Sequence, residues 1–470
     1  MTAIVGATLY LTGYDWGPGV SKVIFAFSDP IEKVDKEGAS IRTAERDREI
    51  KAFYLSNQRG DRVDSRSRFA TMELDTVFDP TGSCAPFFFN LAKFHNEWTP
   101  TYIVKATFHV TVDGRDTLIG FKQDCINNRI CPDSEQFTKR GTFSGKYVNP
   151  LTNQEEMLTL QYAAYEPRQL KKDNAKNPLI IWIHGQGEGG VDVDIDLLGN
   201  PVTYLAKQKI QSYFTTKNGA KGIYVLAIQT PTMWMDCGDG QNHNGDKESR
   251  FLNILIDSIN YYLKQNTDVD RNRIYIGGCS NGGYMSMNLL IHFPEMFAAS
   301  YQACEAYAYM VFKKDEEGKY VHMEDNPAPT AVYQTDERHF TDEKMNKIKD
   351  LPIWLIASHD DDTVLPYIFE MPTYKQLLKL GAKNVWFSYF ETVEGILLPG
   401  VKFNGHWSWV RFFNDQVTKV QDREKIMNSA DDDKSFGFVP SNDGGGSQEA
   451  SDEKGTYKSI FAWLNAQVKH

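Results

Sequence analysis

Nowhere in this 470-residue chain do apolar residues run on for the ~20 positions that a bilayer-spanning helix needs, so no membrane span is expected. Positive charge is also short. With 51 basic against 62 acidic residues the net charge is -11, the opposite of what a phosphate-tracking nucleic-acid binder requires. The first residues, MTAIVGATLYLTGYDWG, lack the basic n-region of a secretory leader. A cytosolic protein and a mature secreted chain whose leader was removed both fit, and the second is preferred. Cysteine is sparse, at six residues. Cys125 and Cys131 lie close together in DCINNRIC, as a disulfide or as two thiols, but without a zinc spacing or a nearby histidine.

What is present divides the chain in two. At 41% apolar and 24% charged residues it is an ordinary globular composition, and its length asks for two domains, placed at 1–137 and 138–470. In the first part VSKVIFAF (20–27), IKAFYLS (50–56), SRFATMELD (67–75) and YIVKATFHVTV (102–112) are rich in β-branched and aromatic residues and are separated by turn clusters such as DPTGS. Phe108, Val110 and Val112 alternate with His109 and Thr111, the period of a half-buried strand. Short strands without helical periodicity predict a small all-β sandwich. From about residue 140 the pattern changes. PLIIWIHG (178–185), GIYVLAIQ (222–229), RIYIGG (273–278), FAASYQA (297–303) and LPIWLIAS (351–358) are compact apolar runs. Between them lie helical stretches such as 249–265, with Leu252, Leu255, Ile259 and Tyr262 on one face. This alternation predicts an α/β domain whose parallel sheet is covered on both faces and binds ligands at the carboxyl ends of its strands. The acidic, Gly- and Ser-containing run 429–455 is expected to be a mobile surface insertion before a last helix in YKSIFAWLNAQV.

Gly278-Cys279-Ser280-Asn281-Gly282 fits G-x-S-x-G, which composition alone yields in such a chain roughly one time in six. The flanks make it specific. RIYIGG runs straight into it, and a helix candidate, YMSMNLLIHF, follows and stops before Pro294. Strand, tight turn and helix are the setting of a nucleophile elbow, in which Ser280 stands above the sheet. A serine hydroxyl needs a base, and the base an orienting acid. In the order of this fold both follow the serine. HDDDTVLPY, after LPIWLIAS, offers Asp360, Asp361 and Asp362 as the acid. His406, in NGHWSWV, is one of only two histidines after them, the other being the terminal His470. An oxyanion would find the backbone N–H of Asn281, with a second donor from the loop IIWIHGQGEGG: Gln186 first, Gly187 next. His184 is expected to brace that loop. The loop has no Lys-Ser/Thr and no G-x-G-x-x-G, so it does not read as a nucleotide site.

HGQGEGG, QTPTMWMD, DRNRIYIGGCSNGGYM, FPEMFAAS, DDTVLP and GHWSWV, in this order, resemble the esterases related to feruloyl esterases and polyhydroxybutyrate depolymerases. More narrowly, the chain resembles bacterial two-domain esterases with an N-terminal immunoglobulin-like domain. The resemblance implies an α/β-hydrolase catalytic domain, a Ser–His–Asp mechanism, no metal and no cofactor. It singles out Asp362, because D-x-x-L-P is close to the D-x-x-V-P of related hydrolases. It departs from those relatives at Gln186 and Gly189-Gly190 and in the crowded acid loop. Trp234 and Trp407 are expected to wall a substrate pocket. Cys279 and Cys304 read as buried thiols, and a disulfide through Cys237 stays open. The expected partner is an ester, small or polymer-linked. A serine peptidase of the prolyl-oligopeptidase type and a non-catalytic polymer-binding protein are the alternatives.

Overall fold

The computed structural model describes residues 2–79, 84–126, 128–172, 174–430 and 435–469. DPTGS falls mostly outside them. The chain forms two units, Met1–Gln136 and Phe137–His470.

The first unit is built from two facing sheets. One orders Arg129–Ile130, Ile4–Tyr14, Gly17–Ile31, Ser67–Leu74 and Ile50–Ser56; the other orders Arg115–Gln123, Val104–Val112, Ser40–Thr43 and Arg46–Asp47. The alternation over 104–112 places Phe108 and Val110 inward. Phe25 and Phe53 each bring a ring to 5.0 Å from Phe108, which joins the two sheets. All-β packing of two layers is the sandwich expected from the strand spacing. The strands Ile4–Tyr14 and Arg115–Gln123 were not anticipated, since the first begins in small residues and the second is largely exposed.

The second unit carries one eight-stranded sheet: β1 (Lys139–Val148), β2 (Glu155–Tyr165), β3 (Asn177–Ile183), β4 (Tyr224–Gln229), β5 (Val269–Cys279), β6 (Ala299–Ala303), β7 (Ile353–Ser358) and β8 (Val385–Phe390). Their spatial order is β1-β2-β4-β3-β5-β6-β7-β8. Strand β2 runs antiparallel to both its neighbours, β1 and β4, and β3 to β8 pair in parallel. Strands β3, β4 and β6 to β8 are buried along their whole length, because helices such as Leu252–Gln265, Asn281–His292 and Glu370–Lys379 accompany the sheet. This is the α/β-hydrolase arrangement, and it brings the carboxyl ends of β3, β5 and β7 to one edge.

The run 429–455 is not a loose insertion where it is described. Tyr389 and Gln421 both donate to the Gly445 carbonyl, at 2.7 and 2.9 Å. Gly444 to Gly446 are buried beside β8, so glycines that composition assigns to solvent serve close backbone packing. The last helix is Ile460–Ala466.

Candidate active site

The strand β5 ends in a turn whose central residue, Ser280, adopts φ 54°, ψ -118°. A β-carbon is unfavourable at positive φ, and such strain is held only where neighbours fix it. Here Ser280 N–H donates to the Ala303 carbonyl at 3.0 Å, and the Ser280 carbonyl accepts from Tyr284 N–H at 3.0 Å to open the helix Asn281–His292. The flanking glycines are steric requirements. A β-carbon on Gly278 or Gly282 would sit 2.2 or 2.1 Å from the carbonyl oxygen of Ile183. The result is a half-exposed serine between buried neighbours. Cys279 turns the other way, with its Sγ 3.5 Å from Asn200 Oδ1, and burial pushes its thiol pKa well up. It is no rival nucleophile.

His406 stands in a short 3-10 turn, Gly405–Trp407, after β8, capped by Asn404, whose Oδ1 accepts from His406 N–H at 2.8 Å. Its Nδ1 lies 2.9 and 3.2 Å from the two carboxylate oxygens of Asp361. Asp361 is fully buried and its Oδ1 also accepts from Thr363 and Val364 N–H, at 2.8 and 2.9 Å. The carboxylate facing His406 therefore belongs to Asp361 and not to Asp362. Asp362 points to solvent, where Thr363 Oγ1 donates to it at 3.4 Å. Asp360 accepts from Ser358 Oγ. The D-x-x-L-P match lands one residue late, because the turn after Ser358 directs the middle aspartate inward.

The loop after β3 makes a 3-10 turn, Gln186–Glu188. Gln186 and Asn281 each occupy the first position of a helical turn, where backbone N–H groups have no acceptor within the helix. His184 lies beneath them, fully buried. Its Nδ1–H donates to the Gly185 carbonyl and its Nε2 accepts from Thr230 N–H at 3.1 Å. Burial pulls its pKa down to about 4, so it stays neutral and holds the loop. Trp234 does not wall a pocket. It is fully buried between His184, at 5.1 Å, and Phe251, at 6.2 Å, so it supports the loop from below. Trp407 is half-buried beside His406, against Phe403 and Trp409.

Four acidic side chains near this edge were not anticipated. Glu188 and Asp196 are buried under the loop after β3, and Glu305 and Glu370 behind the serine turn, where Glu305 N–H donates to Glu370 Oε1 at 3.0 Å. Burial raises the pKa of all four, Glu188 to about 7 and Glu305 to about 8, with the His406 charge holding Glu188 partly back. No sequence pattern marks them, because a buried and a solvated carboxyl look alike in sequence.

Glu188 carries a stability prediction. Its folded-state pKa of about 7 lies above the ordinary 4.5, so the native protein holds a proton that the unfolded chain releases. Stability contributed by this group is full below pH 4.5 and is lost as pH rises towards 7, at up to about 1.4 kcal/mol per pH unit. Glu188→Gln removes that loss. Its Tm relative to wild type should climb between pH 5 and pH 7.5 and then level off. A constant difference across that range would show that Glu188 is ionised in the fold.

All six cysteines are free, so no disulfide involves Cys237, and none joins Cys125 to Cys131. Cys304 places its Sγ within 4.8 Å of the facing atoms of Asp361 and His406, but the His–Asp hydrogen bond fills the space between them. No helix among the described residues is long and apolar enough to cross a membrane.

Residues 6–117 match the esterase Ig-like N-terminal domain, and residues 240–392 match the prolyl oligopeptidase family. No curated protein is matched. Among solved structures, a thermostable esterase superposes with TM-score 0.62 at 22% identity, over 88% of this chain and 97% of that one. A ferulic acid esterase (TM-score 0.34, 13% identity, 53% of this chain and 89% of that one) and the acylaminoacyl peptidase of Pyrococcus horikoshii (TM-score 0.36, 13% identity, 88% and 55%) are more distant. The chain is a two-domain serine hydrolase, with an esterase immunoglobulin-like domain followed by an α/β-hydrolase-type catalytic domain.

Proposed function

We propose that this chain hydrolyses carboxylic esters through an acyl-enzyme on Ser280, with His406 as base and Asp361 as the acid that orients it. The observation that carries the reading is the strained Ser280 turn at the end of β5, which holds a hydroxyl half-exposed at the edge where His406 and Asp361 meet. His406 Nδ1–H is committed to Asp361, which leaves Nε2 free to take the serine proton. As Ser280 Oγ attacks the ester carbonyl, negative charge grows on the carbonyl oxygen. The N–H groups of Asn281 and Gln186 are the donors proposed for it. The alcohol departs with the proton from His406. Water, deprotonated by the same imidazole, then releases the acid and regenerates Ser280. Trp407 is proposed to line the acyl or alcohol side, and short-chain, aromatic feruloyl-type and polymeric esters all suit such a site.

A peptidase is the second reading, favoured by the prolyl oligopeptidase match. The N-terminal unit argues for esters, since it is an esterase-type immunoglobulin-like domain of two sheets and not a propeller. One solved structure that superposes over most of the chain, with TM-score 0.62, is likewise named a thermostable esterase. The test compares p-nitrophenyl acetate and butyrate with aminoacyl p-nitroanilides. Ester turnover with anilide turnover at least a hundredfold slower is expected. Comparable or faster anilide cleavage would move the assignment to a peptidase.

A further inference from the structure

The loop after β4 is folded around Asp236, which is fully buried. Its Oδ1 accepts from Gly238 and Gly240 N–H, at 2.8 and 2.9 Å, and its Oδ2 accepts from Thr232 Oγ1 and pairs with Arg250 at 2.6 Å. This scaffold sets three side chains of CGDGQNH facing one another. Cys237 Sγ, an Asp239 carboxylate oxygen and His243 Nε2 all lie within 4.8 Å of one another. Asp239 sits in the middle, with Oδ1 3.7 Å from Cys237 Sγ and Oδ2 2.9 Å from His243 Nε2. The backbone at His243 is held from behind, because Tyr320 O–H donates to the His243 carbonyl at 2.8 Å.

We propose that Cys237, Asp239 and His243 form a binding site for a zinc-type divalent cation. Thiolate, imidazole and carboxylate together are the donor set of a borderline-soft ion that prefers four ligands, and a water molecule completes the tetrahedron. Zinc bonds of about 2.0–2.3 Å in a tetrahedron separate their donor atoms by about 3.5 Å. The Cys237–Asp239 spacing already meets this, and the Asp239–His243 pair needs to open by roughly half an ångström. The side chains of His243 and Asp239 are 14% and 30% exposed, so an ion has a path from solvent. Binding replaces the S–H proton of Cys237, which goes to solvent, and no electron is transferred. Affinity therefore falls as pH is lowered.

The site has a route to the catalytic edge. Asn242, inside the chelating loop, donates from Nδ2 to Gln186 Oε1 at 2.6 Å. An ion that closes the loop holds Asn242 and, through it, the residue proposed to supply an oxyanion donor. This second step rests on the esterase reading; the binding site itself does not.

Cobalt(II) titrated into the full chain after chelator treatment tests the site, because thiolate coordination gives a charge-transfer absorption that carboxylate or imidazole alone does not. One saturating equivalent is expected in the wild type. The band should be absent in Cys237→Ser, and affinity should fall at least tenfold in His243→Ala. Zinc should raise the Tm of the wild type and not that of Cys237→Ser. No band in folded wild type, or an unchanged band in folded Cys237→Ser, overturns the site. Esterase activity without a band removes the site and leaves the function. A band without ester turnover removes the function and leaves the site. Turnover unchanged by saturating zinc overturns the link through Asn242.

Discussion

Ser280→Ala should lower kcat on a p-nitrophenyl ester by about 10⁴- to 10⁶-fold, with folding intact. The substitution removes one oxygen atom. It leaves the strained turn, the Ala303 hydrogen bond and the helix that follows as they are, since these are made by backbone. Alanine at φ 54° meets much the same steric cost as serine, so Tm should move little. No neighbour can take over the attack. Cys279 is fully buried and faces Asn200, and Cys304 is fully buried behind the His406–Asp361 pair. What survives is the contribution of the oxyanion donors and of substrate binding. A fluorophosphonate probe supplies the independent readout, labelling the wild type and not the variant. Retained turnover and labelling in Ser280→Ala would put the nucleophile elsewhere on the chain.

The elbow was readable because its requirements are local. An apolar strand, glycines where the Ile183 carbonyl crowds the backbone, and a helix that stops before Pro294 all fall within about twenty-five residues. The buried parallel strands were equally plain, for each is a continuous apolar run. Trp234 was misread for a different reason. A tryptophan just after a strand end looks the same whether it faces the cleft or the core, and only the packing of His184 and Phe251 on its two sides decides. The run 429–455 shows the limit of composition. Its glycines resemble those of a linker, yet Gly445 gives its carbonyl to two donors beside β8. Four buried carboxyls escaped notice because burial is a property of the fold and leaves no trace in the local sequence.

The acid of the proposed triad gives the other large effect. Asp361→Asn should reduce kcat by about 10⁴-fold, while Asp362→Asn stays within about twofold of wild type. The structural reason lies in how Asp361 is held. Its Oδ1 accepts from two backbone N–H groups, of Thr363 and Val364. An asparagine would keep its carbonyl oxygen there and turn its NH₂ towards His406. The imidazole would then have to accept at Nδ1 and carry its proton on Nε2, the wrong tautomer for taking the Ser280 proton, and the charge that stabilises the imidazolium would be gone. Asp362 faces solvent, where it accepts from Thr363 Oγ1, so its loss leaves the His406–Asp361 pair intact. The D-x-x-L-P resemblance chose Asp362 and missed by one residue, since three adjacent carboxylates differ only in which way the turn aims them. That aim is set at a distance. Gly405, one residue before His406, packs against the Asp360 carbonyl so closely that a β-carbon would lie 2.1 Å from it, and this contact seats the aspartate turn against the histidine turn. A large loss in Asp362→Asn with a small one in Asp361→Asn would mean that the turn inverts when substrate binds, and the acid would have to be reassigned.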